Sequence, residues 1–507
     1  MNILSNLVCL PDGSVTRLRL SPRQSVRFLL LSLFLCVSVW NASSQQLVSV
    51  TYLGSKTQGQ VLSQFNNLPF IQYGAKYYRI AYTTHDVHGV QDTATGLIAV
   101  PDNPNRKYPR LVYQHGTAGS RTGVPSLNYD GGEGQVGLLF AGLGYVAFLP
   151  DYLGLGLTSR GFHPYVHAAS EAWAALDMLR AGEQFCQQLQ VSVNAQLFIT
   201  GYSQGGHGAM ALHRAIEKDP SNEFTVTAAA PLSGPYSISG VMRDLILTDT
   251  VYYYPAYIPN TALSYQTAYG NLFTQVNEMF KEPYAALIQS FYEGSITLSD
   301  LNDDLIDALI ANEGASRPYR MMQPDYVNAV LANPQHPVNL ALADNDTYND
   351  WLPEAPMRIL YCMADDQVPF RNSIVARDAL TAIGAPDFQA QDVLPTGDHG
   401  DCYVPAMTGT LFFFLGFQQI GTVDTEEEVL TESLEVSPSP ATAAVTIEIP
   451  ARGILRVVDM EGRILIDQSV EAGRETLQAG ALAPGMYAVL LTSETGTRMG
   501  RLLVSRQ

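Results

Sequence analysis

Basic residues are scarce. The 507-residue sequence carries 29 Lys and Arg against 48 Asp and Glu, a net charge of −19. An acidic surface of that size repels phosphate backbones, which argues against nucleic acid as a partner. Cysteine is scarcer still: there are five, and no CxxC pair. That excludes a small scaffold stapled by disulfides and a fold organised around repeated zinc ligands. Charged residues reach only 15% while hydrophobic ones reach 46%, too apolar a balance for a disordered chain. Long apolar runs are missing too. The most prominent, residues 28–40, is too short to span a bilayer but suits a signal-peptide core. Arg17, Arg19, Arg23 and Arg27 precede it, and Ala42-Ser43-Ser44 supplies small residues for cleavage before Gln45. Residues 1–44 are therefore expected to be an export signal, and the protein to be secreted or attached to the outer surface. Export would remove Cys9 and Cys36 and leave Cys186, Cys362 and Cys402, an odd number, in an oxidising compartment.

Three zones follow. From residue 45 to about 420, short apolar strands alternate with helical patterns. Strands are expected at residues 77–82, 96–100, 111–113, 145–149, 197–200, 224–230, 357–362 and 388–394. Between two of them, Ala169, Trp173, Leu176 and Leu179 fall on one face of a helix. Buried, non-alternating strands separated by helices predict an α/β fold with a mostly parallel sheet flanked by helices. Between about residues 238 and 351 the rhythm breaks into a helical, tyrosine-rich stretch, read as a cap inserted over the sheet; there Leu287, Ile288 and Phe291 mark one helix face. An acidic linker, 421–434, then leads to Ser437-Pro438-Ser439-Pro440. Residues 435–507 alternate strands with glycine turns, a small all-β domain.

The chemistry concentrates around one serine. Gly201-Tyr202-Ser203-Gln204-Gly205-Gly206 follows an apolar strand and opens a helix, the context of a nucleophile elbow. The flanking glycines are small because strand and helix pass closely at a tight turn. In such a fold the acid follows the nucleophile and the base comes last. Only His399 lies beyond the strand-end loop Met363-Ala364-Asp365-Asp366, so His399 is the candidate base and Asp365 the acid, with Asp366 as the neighbouring alternative. The oxyanion of a tetrahedral intermediate needs amide donors. The N–H of Gln204 is one candidate; Thr117, or failing it Ala118, in the loop after the strand ending at Gln114, is the other. Tyr152 and Leu153, in the loop after another strand, are expected to line the substrate pocket.

Residues 77–420 resemble the α/β-hydrolase superfamily, and within it the secretory lipase group related to fungal lipase A. The resemblance is carried by His115-Gly116, by Gly144-Tyr145 with Asp151-Tyr152-Leu153-Gly154, by the Ser203 elbow, by Ser233-Gly234-Pro235 and by the Asp365 and His399 loops. It implies a serine carboxylic-ester hydrolase with a lid, acting without cofactor or metal on a small-molecule or lipid ester. The tail is similar to the C-terminal sorting domain of bacterial type IX secretion: Ser437-Pro438-Ser439-Pro440-Ala441, Gly462-Arg463, Leu482-Ala483-Pro484-Gly485-Met486-Tyr487 and the final Arg501-Leu502-Leu503-Val504 carry the likeness. That implies the secretion machinery as a partner. Two rival readings stand beside the esterase: a serine peptidase or aminopeptidase on the same fold, and a surface binding protein built on an inactive hydrolase.

Cys362 precedes Asp365 by three residues and Cys402 follows His399 by three, so they are either a disulfide or two buried thiols. Asp344-Asn345-Asp346 starts like a calcium loop but lacks its Gly and closing Glu, and reads as a polar turn. His207, four residues after Ser203, reads as a packing residue. His163 and His167 read as surface residues at a helix start.

Overall fold

The computed structural model describes residues 46–158, 160–423, 434–459, 463–493 and 496–505, and the backbone of 7–9 and 15–17. The expected signal-peptide core at 28–40, its cleavage site and residues 424–433 of the acidic linker lie outside the described residues. The chain divides into two units, 1–45 and 46–507. In the first, Leu7–Cys9 pairs antiparallel with Val15–Arg17. Among the described residues no helix is long and apolar enough to cross a membrane.

The second unit is built on one large sheet. Its strands are β1 (Leu47–Lys56), β2 (Ala75–His85), β3 (Gln91–Pro101), β4 (Arg106–Gln114), β5 (Val146–Pro150), β6 (Val193–Tyr202), β7 (Ala228–Leu232), β8 (Met357–Tyr361) and β9 (Phe388–Asp392). They lie in the order β9-β8-β7-β6-β4-β5-β3-β2-β1. From β9 to β5 every pairing is parallel; β3, β2 and β1 add an antiparallel edge. The short β10 (Gly421–Thr422) pairs antiparallel with the start of β4. The parallel half comprises the strands that sequence predicts as apolar runs. β1 was not expected, because an edge strand buries little: Val48 and Tyr52 are exposed.

Neighbouring residues along each central strand feed opposite cores, as a strand's period of two requires. Val112, Ile199 and Ile359 face one apolar cluster with α1 (Ala168–Gln188), α2 (Gln204–Lys218) and α3 (Arg371–Ala382). Leu111, Phe198 and Leu360 face the other, with the helix Gly134–Gly142 and α4 (His399–Leu415). The face of α1 differs from expectation. Ala169 is exposed and Trp173 and Leu176 only half-buried, whereas Ala174, Ala175, Met178, Ala181 and Gly182 are buried. Small residues face the sheet because the backbones approach closely: a methyl on Gly182 would run into the Phe148 ring.

Residues 238–344 are helical, as read, and hold a core of their own around Leu263, Phe280, Ile288, Leu301, Leu305 and Met321. Ile288 lies in that core, while Leu287 and Phe291 pack at its margin. The tail forms two antiparallel sheets, one of β11 (Val436–Ser437), β12 (Val445–Ile449) and β15 (Gly473–Leu477), the other of β13 (Gly453–Val458), β14 (Ile464–Val470), β16 (Gly485–Ser493) and β17 (Gly496–Val504). Ile447, Leu455, Val457, Val489 and Leu491 are its buried centre. Val458, Ala488 and Leu490 instead join the cluster of Phe412, Phe413 and Phe414 at the far end of α4, with Met499 and Phe417 packed alongside.

Candidate active site

Ser203 sits between the last residue of β6 and the first of α2, at φ 60° and ψ −121°. A non-glycine residue there costs roughly 1–3 kcal/mol and persists only when its surroundings over-determine it. Those surroundings are visible. The Ser203 N–H donates to the Leu232 carbonyl of β7 at 3.0 Å. A methyl on Gly205 would collide with the Gln114 carbonyl oxygen, and one on Gly206 with that of Leu232. The glycines of the motif are thus spacers that let the elbow settle between β4 and β7. Ser203 itself is 7% exposed.

The acid and base loops meet. His399 opens α4, whose first turn is capped by the Asp398 side chain accepting from the Asp401 N–H at 2.8 Å. His399 Nδ1 lies 2.7 Å from Asp365 Oδ2. The other Asp365 oxygen accepts from the N–H groups of Gln367 (3.0 Å) and Val368 (2.8 Å), which fixes the carboxylate. Asp366 does a different job: it accepts from the His399 backbone N–H at 3.2 Å and from the Tyr254 hydroxyl at 3.3 Å. A ring that donates from Nδ1 keeps Nε2 as the basic atom. Tyr202, the neighbour of the serine, donates its hydroxyl to the His399 carbonyl at 2.5 Å and sets its ring 4.9 Å from the imidazole. Among the described residues Ser203 Oγ makes no hydrogen bond to His399, and catalytic hydrogen bonds of this kind often form only once substrate is bound. Cys362, at the end of β8, is bonded to Cys402 on α4, with Cα atoms 5.8 Å apart. Of the two arrangements open in the sequence the bridge is the one formed; Cys186 is buried and free, its thiol pushed up to about 12 by burial.

The Gln204 N–H stands at the N-terminus of α2, and the Thr117 N–H in the loop after β4; among the described residues neither has an acceptor. The Thr117 hydroxyl bonds that of Tyr165 at 3.0 Å, and the preceding Gly116 N–H is held by Glu133 at 3.0 Å. A narrow cavity has Ser203 in its wall, with Tyr165, Ile238, Met242, Tyr252, Tyr257 and Val368 around it. Tyr152 and Leu153, expected to line the pocket, are not among its walls. Tyr152 turns back to bond the His115 carbonyl at 3.0 Å and rests against that imidazole, while Leu153 is in the main core. Most of the lining comes from residues 238–261 instead, joined by Tyr165, Val166, Pro235 and Val368, which β-strand spacing does not reveal.

Two further expectations are corrected. His167 is 6% exposed and caps α1, and burial lowers both its pKa and that of His163 to about 4. His207 is fully buried but bonded rather than merely packed, to Glu171 at 2.6 Å. The sequence gives little signal for Glu171: it is one acidic residue in the first turn of a helix. Asp344 ends the helix Pro337–Asp344, and Asn345 and Asp346, which follow it, are buried, Asn345 Oδ1 accepting from the Ala168 N–H at 2.8 Å. Among the described residues no cluster suited to a metal ion occurs.

Comparison with known proteins agrees with this architecture. The rice cell wall degrading esterase LipA from Xanthomonas oryzae superposes with a TM-score of 0.62 at 27% identity, over 73% of this chain and 95% of that one. A protein of Legionella pneumophila does so with a TM-score of 0.65 at 25% identity, over 73% and 98%. Candida antarctica lipase A shares the fold at 14% identity, with a TM-score of 0.55 over 74% and 82%. Residues 435–505 match the secretion system C-terminal sorting domain. No curated protein sequence matches the chain. The fold is therefore that of the α/β hydrolases, its solved neighbours include esterases and lipases, and it carries a sorting tail that marks it for secretion or surface attachment.

Proposed function

We propose that the protein is a secreted serine carboxylic-ester hydrolase. Ser203 Oγ attacks the ester carbonyl while His399 Nε2 takes its proton, and Asp365 holds the ring and stabilises the imidazolium. The tetrahedral oxyanion is received by the N–H groups of Gln204 and Thr117, each such donor being worth roughly 3 kcal/mol in the transition state. The alcohol leaves with the proton from His399. Water, deprotonated by the same ring, then frees the acid from Ser203. The observation that carries this reading is the 2.7 Å bond between His399 Nδ1 and Asp365, on loops that meet beside the strained serine.

The substrate side follows from the cavity. Its walls are aromatic and aliphatic, and it shares Ile246, Ile258, Thr261 and Leu342 with a second narrow, almost wholly apolar cavity inside the helical insertion. A hydrocarbon acyl group entering past Ser203 stays out of water along that route, gaining about 0.8 kcal/mol per buried methylene. Nitrophenyl esters of increasing acyl length, assayed beside aminoacyl amides, test the proposal. Ester turnover that rises beyond acetate and vanishes in Ser203→Ala is expected. Amide turnover alone would favour a peptidase, and absence of labelling by a fluorophosphonate would leave an inactive binding protein.

A further inference from the structure

Behind the elbow, buried polar side chains from three segments form one continuous hydrogen-bond chain. The Gln204 side-chain amide gives one hydrogen to His163 Nε2 at 2.9 Å and the other to Glu171 Oε1 at 3.0 Å. His163 Nδ1 lies 2.8 Å from the Leu153 carbonyl and donates to it, which leaves Nε2 with the lone pair that Gln204 requires. The second Glu171 oxygen lies 2.6 Å from His207 Nδ1, and His207 Nε2 lies 2.9 Å from the Asn345 carbonyl. Both His207 nitrogens thus lie against oxygen atoms, which fixes the ring between the Glu171 carboxylate and the Asn345 carbonyl. Turning the Gln204 amide over would set its oxygen against the carboxylate and the lone pair together, so its orientation is forced.

This arrangement is an expensive way to fill space. The Glu171 and His207 side chains are 1% and 0% exposed, and Gln204 Oε1 is buried with no partner among the described residues. Apolar side chains of the same volume would pack there without desolvating an ion pair or leaving an orphan oxygen. Gln204 is also the residue that follows the nucleophile and whose backbone N–H stands at the N-terminus of α2. We infer that Glu171 is a positioning residue of the oxyanion hole: together with His163 it grips both amide hydrogens of Gln204 and so fixes the peptide plane whose N–H meets the tetrahedral oxygen. His207 keeps the Glu171 carboxylate in place. The neutral state of His163, favoured by its burial, is the one that accepts from Gln204.

The inference rests on the esterase reading, and the test separates the two. Glu171→Met removes the grip. Its kcat on a nitrophenyl ester, counted per site titrated with fluorophosphonate, should fall about ten- to a hundredfold with KM nearly unchanged, since the lost interaction belongs to the transition state. Inhibition by an alkyl boronic acid, whose adduct is tetrahedral and charged, should weaken by a like factor. Glu171→Gln should restore kcat to within about threefold of the parent, because its carbonyl still accepts from Gln204 and a neutral His207 accepts from its amide. A Glu171→Met protein with a lower melting temperature but the parent's kcat per site and boronate affinity overturns the inference and makes the chain purely structural. If Glu171→Met is not recovered folded, Gln204→Met, which leaves the Glu171–His207 pair in place, decides by the same readouts. Activity surviving in Ser203→Ala would sink the esterase reading instead.

Discussion

The Cys362–Cys402 bridge encloses both the acid and the base, so its removal is an informative perturbation. The bonded cysteines are 40 residues apart. On the chain-entropy model, closing a loop of that length removes about 13 cal/mol/K from the unfolded chain, or about 4 kcal/mol at 25 °C. Both cysteines are fully buried, so Cys362→Ala with Cys402→Ala loses roughly a further 1 kcal/mol of burial for each sulfur. The doubly substituted protein should therefore unfold about 4–6 kcal/mol more easily in urea at equilibrium. The denaturant slope should rise as well, because the freed unfolded chain exposes more surface. Alkylation of the unfolded, unreduced parent should modify Cys186 but neither Cys362 nor Cys402. An unchanged midpoint, or labelling of Cys362 and Cys402 in the parent, refutes the reasoning. Activity is the finer readout. Tyr202, Asp366 and Asp398 also hold His399 or the turn that carries it, so the folded variant should keep its kcat within about tenfold.

Two other outcomes are expected. Asp365→Asn should lower kcat about 10⁴-fold by upsetting the His399 tautomer, while Asp366→Asn, which touches only the His399 backbone and the Tyr254 hydroxyl, should cost less than about tenfold; the reverse order in steady-state kinetics would show the acid misassigned. His163 and His167 have folded-state pKa values near 4, below the unfolded value near 6.5. The unfolded chain therefore binds more protons between those values, so their contribution to stability is complete above about pH 6.5 and declines as pH falls toward 4. At pH 5 each costs about 2 kcal/mol relative to pH 8. Urea unfolding at the two pH values should show that fall, and His167→Asn should remove about half of it; an equal fall in parent and variant argues against the assignment.

What could be read in the sequence was what repeats or has fixed order. The central parallel strands β4 to β8 show as apolar runs because both their faces are buried, and the elbow shows because its glycines are forced by carbonyls a methyl would strike. The order of serine, acid and base picked out His399 and the loop holding Asp365 and Asp366, but order cannot separate those two neighbours; only their contacts do, Asp365 bonding the ring and Asp366 the His399 backbone. Contacts made across the fold were not legible. The pocket walls come from helices whose packing depends on their partners, so Tyr152 and Leu153 were chosen from strand position alone and lie elsewhere. Much of the inward face of α1 is alanine and glycine around Met178, Leu179 and Phe185, so its hydrophobic stripe is faint in the sequence, and of the residues read as one face only Leu179 is buried. Glu171 and His207 are 36 residues apart, and nothing in their local sequence announces that they meet.

The outer end of α4 has a consequence for how the tail is held. Its phenylalanines share one apolar cluster with Val458, Ala488 and Leu490 of the tail, while Arg358, which stacks on Phe413 at 4.6 Å, stands near Arg501. Cutting the peptide between the two domains would sever a tether but not this adhesion. Parting the tail from the sheet would instead be governed by how readily those rings accept water, at the opposite end of the same helix from the histidine.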